Sequence, residues 1–343
     1  MEQQMTQPIL IWGAGAIGGT IGAALARAGH EVTLVDNEPA HVAAINANGL
    51  AITGPVESYR AHPRAHTPDT LTGTFPLILL AVKAHHTEAA TRMLTPHLAQ
   101  SGTVVSCQNG LNELVISRII GGDRTVGAFV NFGADWIAPG EIMFGNRGAV
   151  VVGDLHGRTT PRLVALHALL QNFEPDAVIT SNIWGYLWGK TGYGAILKVS
   201  ALTNDTIADF IAAPAHRPLI KALVREMMDT AAAERVIPLG FNGFDPQAFA
   251  TGDDAAIDRS LAAMAEFNRG SAKSRSGIWR DLAVRKRATD AGAQLAPVVA
   301  AAARHGIATP IAHLLISTIA AVEQGKAVIG ENLLEPLNAC ALD

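Results

Sequence analysis

The chain has 343 residues, of which 49% are apolar and only 16% charged, enough apolar material for two domain cores and no signature of disorder. Thirty acidic against 26 basic residues give a formal charge of -4, which argues against nucleic acid as a partner. The two cysteines, Cys107 and Cys340, have neither paired nor metal-type spacing, so a disulfide framework and a zinc ribbon are excluded and a reducing, cytoplasmic setting is expected.

The opening MEQQMTQPIL lacks the basic and apolar regions of a secretory signal. No run of about 18–20 apolar residues occurs, so no membrane span is expected. From Pro8 to about Asp154, short apolar runs alternate with helical stretches. Ile9–Trp12, Val32–Asp36, Leu77–Val82, Thr103–Cys107 and Val126–Val130 read as strands, with Ala149–Val152 as a further one. Gly18–Ala28, Pro39–Ala47 and Glu88–Leu98 read as the helices between them. That alternation predicts a parallel sheet covered by helices on both faces.

From Asn182 the strand signals stop. Trp184–Leu202, Leu219–Arg235, Ala255–Phe267, Ser276–His305 and Ile311–Gln324 read as helices, with a loop over Pro238–Pro246 and a break at Ala308-Thr309-Pro310. The expected fold class is therefore α/β. A Rossmann-type sheet domain over residues 1–180 precedes an all-helical domain over 181–343.

Gly13-Ala14-Gly15-Ala16-Ile17-Gly18 is a full G-x-G-x-x-G. It follows a strand and opens a helix, the context in which the motif binds a dinucleotide. Gly13 allows the tight turn, Gly15 lets the backbone approach a pyrophosphate, and Gly18 lets helix and strand pack closely. Asp36, at the end of the second strand, can accept hydrogen bonds from ribose hydroxyls and would repel the extra phosphate of NADP. NAD is the preferred cofactor on this reading, with NADP left open. Lys83 and Asn109 sit just beyond the carboxyl ends of two strands, where ligands of such sheets bind. Asn109-Gly110 is equally a good turn dipeptide.

At these residues the sequence resembles the ketopantoate reductase family. The similarity lies in Ile11–Gly19, Ala81-Val82-Lys83, Gln108-Asn109-Gly110, Trp188-Gly189-Lys190, Arg280-Asp281-Leu282 and Thr289-Asp290. The resemblance implies a nicotinamide-dependent 2-oxo acid reductase (2-dehydropantoate 2-reductase being the family's namesake activity), and a homodimer. It implies Lys190 as the catalytic lysine, Asp290 as the C-terminal carboxylate and Ser276 as a substrate-binding serine, although Ser274 is equally reachable. The chain departs from the family where asparagines usually follow the lysine: Gly194 and Lys198 stand there. Asp290 replaces the usual Glu, and Asp36 stands where a basic residue commonly reads NADP.

Reduction of a ketone needs a hydride and a proton at the carbonyl oxygen. An ammonium held at that oxygen supplies the proton and stabilises the developing charge. Lys190 is the candidate, and Gly189 and Gly192 beside it would admit a ligand or another helix. Lys190, Gly194 and Lys198 share one helical stripe. A substrate carboxylate is a natural anion for Lys198; the alternatives are solvent or Asp205. Asp290 either orients Lys190 and the substrate or belongs to the charge cluster Arg285-Lys286-Arg287. The twelve histidines show no metal spacing, so no metal is expected. His85-His86 read as a loop near the cofactor, and Trp184 and Trp188 as core. The partner implied is a small carboxylic acid. A 3-hydroxy acid dehydrogenase and a non-catalytic nucleotide sensor are the rival readings.

Overall fold

Short apolar runs bounded by glycine turns make the strands of the first of two units. The structure, a computed structural model, describes residues 7–270 and 274–342, so part of the stretch read for a secretory signal lies outside the described residues. In chain order the first unit holds β1 (Ile9–Trp12), α1 (Ala16–Arg27), β2 (Val32–Val35), α2 (Pro39–Asn48), β3 (Leu50–Thr53), β4 (Tyr59–Ala61), β5 (Arg64–His66) and β6 (Phe75–Leu80). It continues with α3 (Thr87–Leu94), β7 (Leu98–Ser106), α4 (Glu113–Ile120), β8 (Thr125–Val130), β9 (Gly133–Ala138), β10 (Glu141–Asn146), β11 (Val150–Asp154), α5 (Pro161–Leu170) and β12 (Val178–Ile179).

Eight strands form one sheet in the order β12-β11-β8-β7-β6-β1-β2-β5. The strands from β5 to β8 are parallel. Their chain order, 3-2-1-4-5-6, is that of doubly wound dinucleotide-binding sheets. Successive side chains of a strand face opposite sides. Accordingly Ile9 and Ile11 of β1 enter one apolar core and Leu10 and Trp12 the other. The order reverses between β1 and β6, and ligands of such sheets bind beyond the carboxyl ends at that point.

Two features depart from the sequence reading. The expected further strand is present as β11, but it pairs antiparallel with β8, so that edge of the sheet is not parallel. A second sheet, β4-β3-β10-β9, is present where none was expected. Its strands are only three to six residues long and mix small, polar and apolar side chains. The one local signal is Pro139-Gly140 between β9 and β10, where Gly140 takes φ 78° as a turn glycine does.

The second unit runs from Trp184 onward and includes Asn109–Leu111. Its helices are α6 (Ile183–Ser200), α7 (Ile207–Ala212), α8 (Arg217–Ala233), α9 (Pro246–Thr251), α10 (Asp254–Arg269), α11 (Gly277–Trp279), α12 (Ala291–Arg304), α13 (Pro310–Glu323) and α14 (Glu335–Leu342). Ser276–His305 is not the single helix expected. A π-helical turn over Arg280–Val284 follows α11, Lys286 adopts a left-handed φ of 50°, and α12 starts only at Ala291. Arg285 and Arg287 both bond to the buried Asp281, which holds the chain in this turn rather than in a helix. No helix among the described residues is long and apolar enough to cross a membrane.

Candidate active site

In the first unit the glycine turn is fixed by its surroundings. Gly13 has φ 101°, and a Cβ there would stand 2.9 Å from the backbone of Ala81 and Val82. A Cβ on Gly18 would come within 2.9 Å of both Ile11 Cγ2 and Ala81 Cβ. Gly15 differs: a Cβ there meets nothing within 4 Å. Gly15 is also the N-cap of α1, gives no side-chain cap, and no acidic residue lies in the first turn. The Ala14 N–H is already given to the Val35 carbonyl, so the unpaired N–H groups of the first turn and the helix dipole favour an anion beside Ala16 and Ile17. The turn thus has the open, donor-rich surface that a pyrophosphate needs.

A buried histidine that the sequence did not single out braces this turn. His41, on α2, lies with Nε2 3.0 Å from the carbonyl oxygen of Ala14, and its Nδ1 accepts the Gly140 N–H at 2.9 Å. The N–H of Gly140 can only donate and the Ala14 carbonyl can only accept, so the proton sits on Nε2. His41 therefore ties the glycine turn to the β9–β10 turn of the second sheet.

Asp36 follows β2 directly, and its Oδ1 accepts the Glu38 N–H at 3.0 Å. Lys83 is half-buried just beyond β6 and Asn109 is exposed beyond β7. Between them, Gln108 Nε2 donates to the Val82 carbonyl and to Thr87 Oγ1, both at 2.8 Å. Thr87 in turn donates to Asn112 Oδ1 at 2.8 Å. This chain joins the loops after β6 and β7. His85 and His86 are exposed in the short turn between Lys83 and α3.

In the second unit Lys190 is half-buried on α6, and Trp188 is buried two residues earlier. The neighbouring glycines serve protein packing rather than ligand approach. A Cβ on Gly189 would meet the Leu239 backbone, and one on Gly192 would stand 2.8 Å from Met228 Cε. Two turns on, Lys198 is only 2% exposed. Its Nζ donates to Gln294 Oε1 at 2.8 Å and to the Gly194 carbonyl at 3.3 Å. Neither solvent nor Asp205 is its partner. Burial pushes the Lys198 ammonium down to about 8, and the charge of Asp290 pulls it back up.

The absent side chain at 194 makes room for this ammonium: a Cβ there would lie 3.2 Å from Lys198 Nζ. Gln294 is shared with the loop after β7. A Cβ on Gly110, whose φ is 98°, would stand 3.2 Å from Gln294 Cα. Asp290 directly precedes α12 and is half-buried, whereas Arg285 and Arg287 use Asp281 instead. The loop carrying Asp290 is anchored by Thr289, whose N–H and hydroxyl both donate to Glu323 Oε1, at 2.8 and 2.6 Å. Ser276 is buried and caps α11, its Oγ accepting the Trp279 N–H at 3.1 Å. Ser274 is exposed. Thus Lys198, Gln294 and Asp290 form one electrostatic group, and the Ser276 Oγ also serves as the N-cap of α11.

Residues 9–157 match the family model described as "Ketopantoate reductase PanE/ApbA". Residues 182–323 match "Ketopantoate reductase PanE/ApbA C terminal". The 2-dehydropantoate 2-reductase of Mesorhizobium japonicum is 32% identical over 244 residues, covering 64% of this chain and 74% of that protein. The fold is similar to the crystal structure of a PanE/ApbA family ketopantoate reductase from Ralstonia eutropha JMP134, with TM-score 0.78 and 25% identity, over 93% of this chain and 99% of that one. A ternary structure of D-mandelate dehydrogenase with NADH and anilino(oxo)acetate shares the fold at TM-score 0.79 and 20% identity, over 93% of this chain and 99% of that one.

Proposed function

Because the chain belongs to the ketopantoate reductase PanE/ApbA family, we propose that it interconverts a small 2-oxo acid and its 2-hydroxy acid, with NAD(H) preferred. The observation that carries the reading is the buried ammonium of Lys198, two turns from Lys190 on α6 and within the attraction of Asp290. A buried cation in an enzyme of small acids is best used on the substrate carboxylate.

The glycine turn and Asp36 bind the dinucleotide, and the reduced nicotinamide, when bound, supplies the hydride. Lys190 gives its proton to the carbonyl oxygen as charge builds there, and an ammonium at that atom also stabilises the transition state. Asp290 keeps positive charge favourable in this region. Lys198 holds the carboxylate end of the substrate, with Asn109 and Ser276 as further polar groups for it and Lys83 for the cofactor. The position at 198 is where family members usually carry Asn, so an acid other than ketopantoate is the expected best substrate. Homodimerisation through the helical unit completes the proposal, and sedimentation would measure it.

The test is a panel of 2-oxo acids, ketopantoate included, offered with NADH and with NADPH. A reductase consumes the reduced cofactor with at least one acid. A nucleotide sensor would bind NADH, seen by fluorescence, and consume it with none.

A further inference from the structure

Asp205, His216 and Glu331 each bring one electron-pair donor atom to within 4.8 Å of the others. They come from three places in the helical unit: the turn after α6, the residue before α8, and the short 3-10 turn before α14. No residue of this group belongs to the reductase machinery proposed above. Their separation in sequence hides them from any spacing motif, which is why the histidines suggested no metal.

His216 is buried, and its ring stacks on Phe210 with centroids 4.1 Å apart. Its Nδ1 lies 3.0 Å from the Phe210 carbonyl oxygen. A carbonyl only accepts, so Nδ1 carries a proton there, and Nε2 is the ring nitrogen turned toward the carboxylates. A backbone carbonyl that fixes the tautomer and aims the other nitrogen is the usual outer partner of a metal-bound histidine. That nitrogen faces Glu331 Oε2 at 3.4 Å. The contact is a long hydrogen bond in the absence of an ion. Two ligands on a tetrahedral zinc with bonds of about 2.1 Å stand roughly 3.4 Å apart, and the three donor atoms, all within 4.8 Å of one another, can close on one ion.

We propose that Asp205, His216 and Glu331 hold one zinc ion, with water completing its coordination. Nitrogen and carboxylate oxygen are both ordinary zinc donors. The ion has a structural task. The Gly330 N–H already donates to the Leu202 carbonyl at 2.9 Å, which docks the Glu331 turn beside the end of α6. Zinc would fasten the segment leading into α14 to that end and to the start of α8.

The rival is the direct hydrogen bond between His216 and Glu331 with no ion bound. Titration of the chelator-treated full-length protein with zinc chloride, by calorimetry and by thermal unfolding, separates the two. Zinc in the site gives one tight one-to-one event and a rise in Tm. Glu331→Gln and Asp205→Asn keep the shapes and remove the charges, and each lowers that affinity by at least about tenfold, the scale known for losing even an outer partner. Absence of a one-to-one event in the unaltered protein, or wild-type zinc affinity in either variant, overturns the proposal.

Discussion

Lys198 Nζ donates to Gln294 Oε1 across 2.8 Å, joining α6 to α12 inside the helical unit. The room for this bond comes from Gly194, one turn earlier, whose missing Cβ would stand 3.2 Å from the same nitrogen. Glycine at 194 and lysine at 198 are thus one structural choice. Gly194→Asn alone should crowd the ammonium and destabilise the protein by about 1–3 kcal/mol, as overpacking does. Adding Lys198→Asn should recover much of that loss, and urea unfolding of the two single variants and the double variant measures the coupling. Strict additivity would separate the two positions. The double variant should also shift substrate preference toward ketopantoate.

The depressed Lys198 gives a pH signature. Its proton leaves at about 8 in the folded chain against an ordinary 10.5. Between those values the unfolded chain holds the proton and the folded chain does not, so stability rises with pH across that window. Below it, the penalty is constant and on the order of 3 kcal/mol. Lys198→Met removes the charge but leaves Gln294 short of a donor, a loss of about 1 kcal/mol. The variant should therefore be the more stable protein at pH 7, and the gap should close by about pH 10. A gap that does not change with pH would contradict the depressed value. For the enzyme, KM for the acid substrate should rise as pH climbs past about 8.

Asp36 should set cofactor choice. Asp36→Ala should narrow a preference for NADH, and Asn37→Arg should move it toward NADPH. Catalytic efficiencies with both cofactors measure this. A much higher efficiency with NADPH in the unaltered protein would remove Asp36 from that role.

His41 positions the glycine turn without touching the nicotinamide chemistry. His41→Ala should weaken NADH binding by about tenfold, the effect of losing roughly 1.4 kcal/mol of preorganisation. The KM for the acid at saturating NADH should stay unchanged. An equal loss in both constants would mark a general loss of structure instead.

Much of the first unit was legible in the sequence because parallel strands buried on both faces read as continuous apolar runs, as Ile9–Trp12 does. The second sheet was not: its short strands mix small, polar and apolar side chains, and the local pairs β3–β4 and β9–β10 become one sheet only through the long-range pairing of β3 with β10. The stripe of Lys190, Gly194 and Lys198 follows from helical geometry alone. The burial of Lys198 does not, because it depends on Gln294, which is 96 residues away. His41 was invisible for the same reason: its importance lies in hydrogen bonds to Ala14 and Gly140, distant in sequence.

The most direct test of the account is single-turnover reduction of the best 2-oxo acid by the unaltered protein and by Lys190→Ala, with NADH affinity measured alongside. Loss of a general acid costs roughly 10²–10⁴-fold in rate, while the dinucleotide, held by the glycine turn, should bind both proteins equally. Near-normal reduction by a folded Lys190→Ala protein would contradict the assignment of the proton to this lysine.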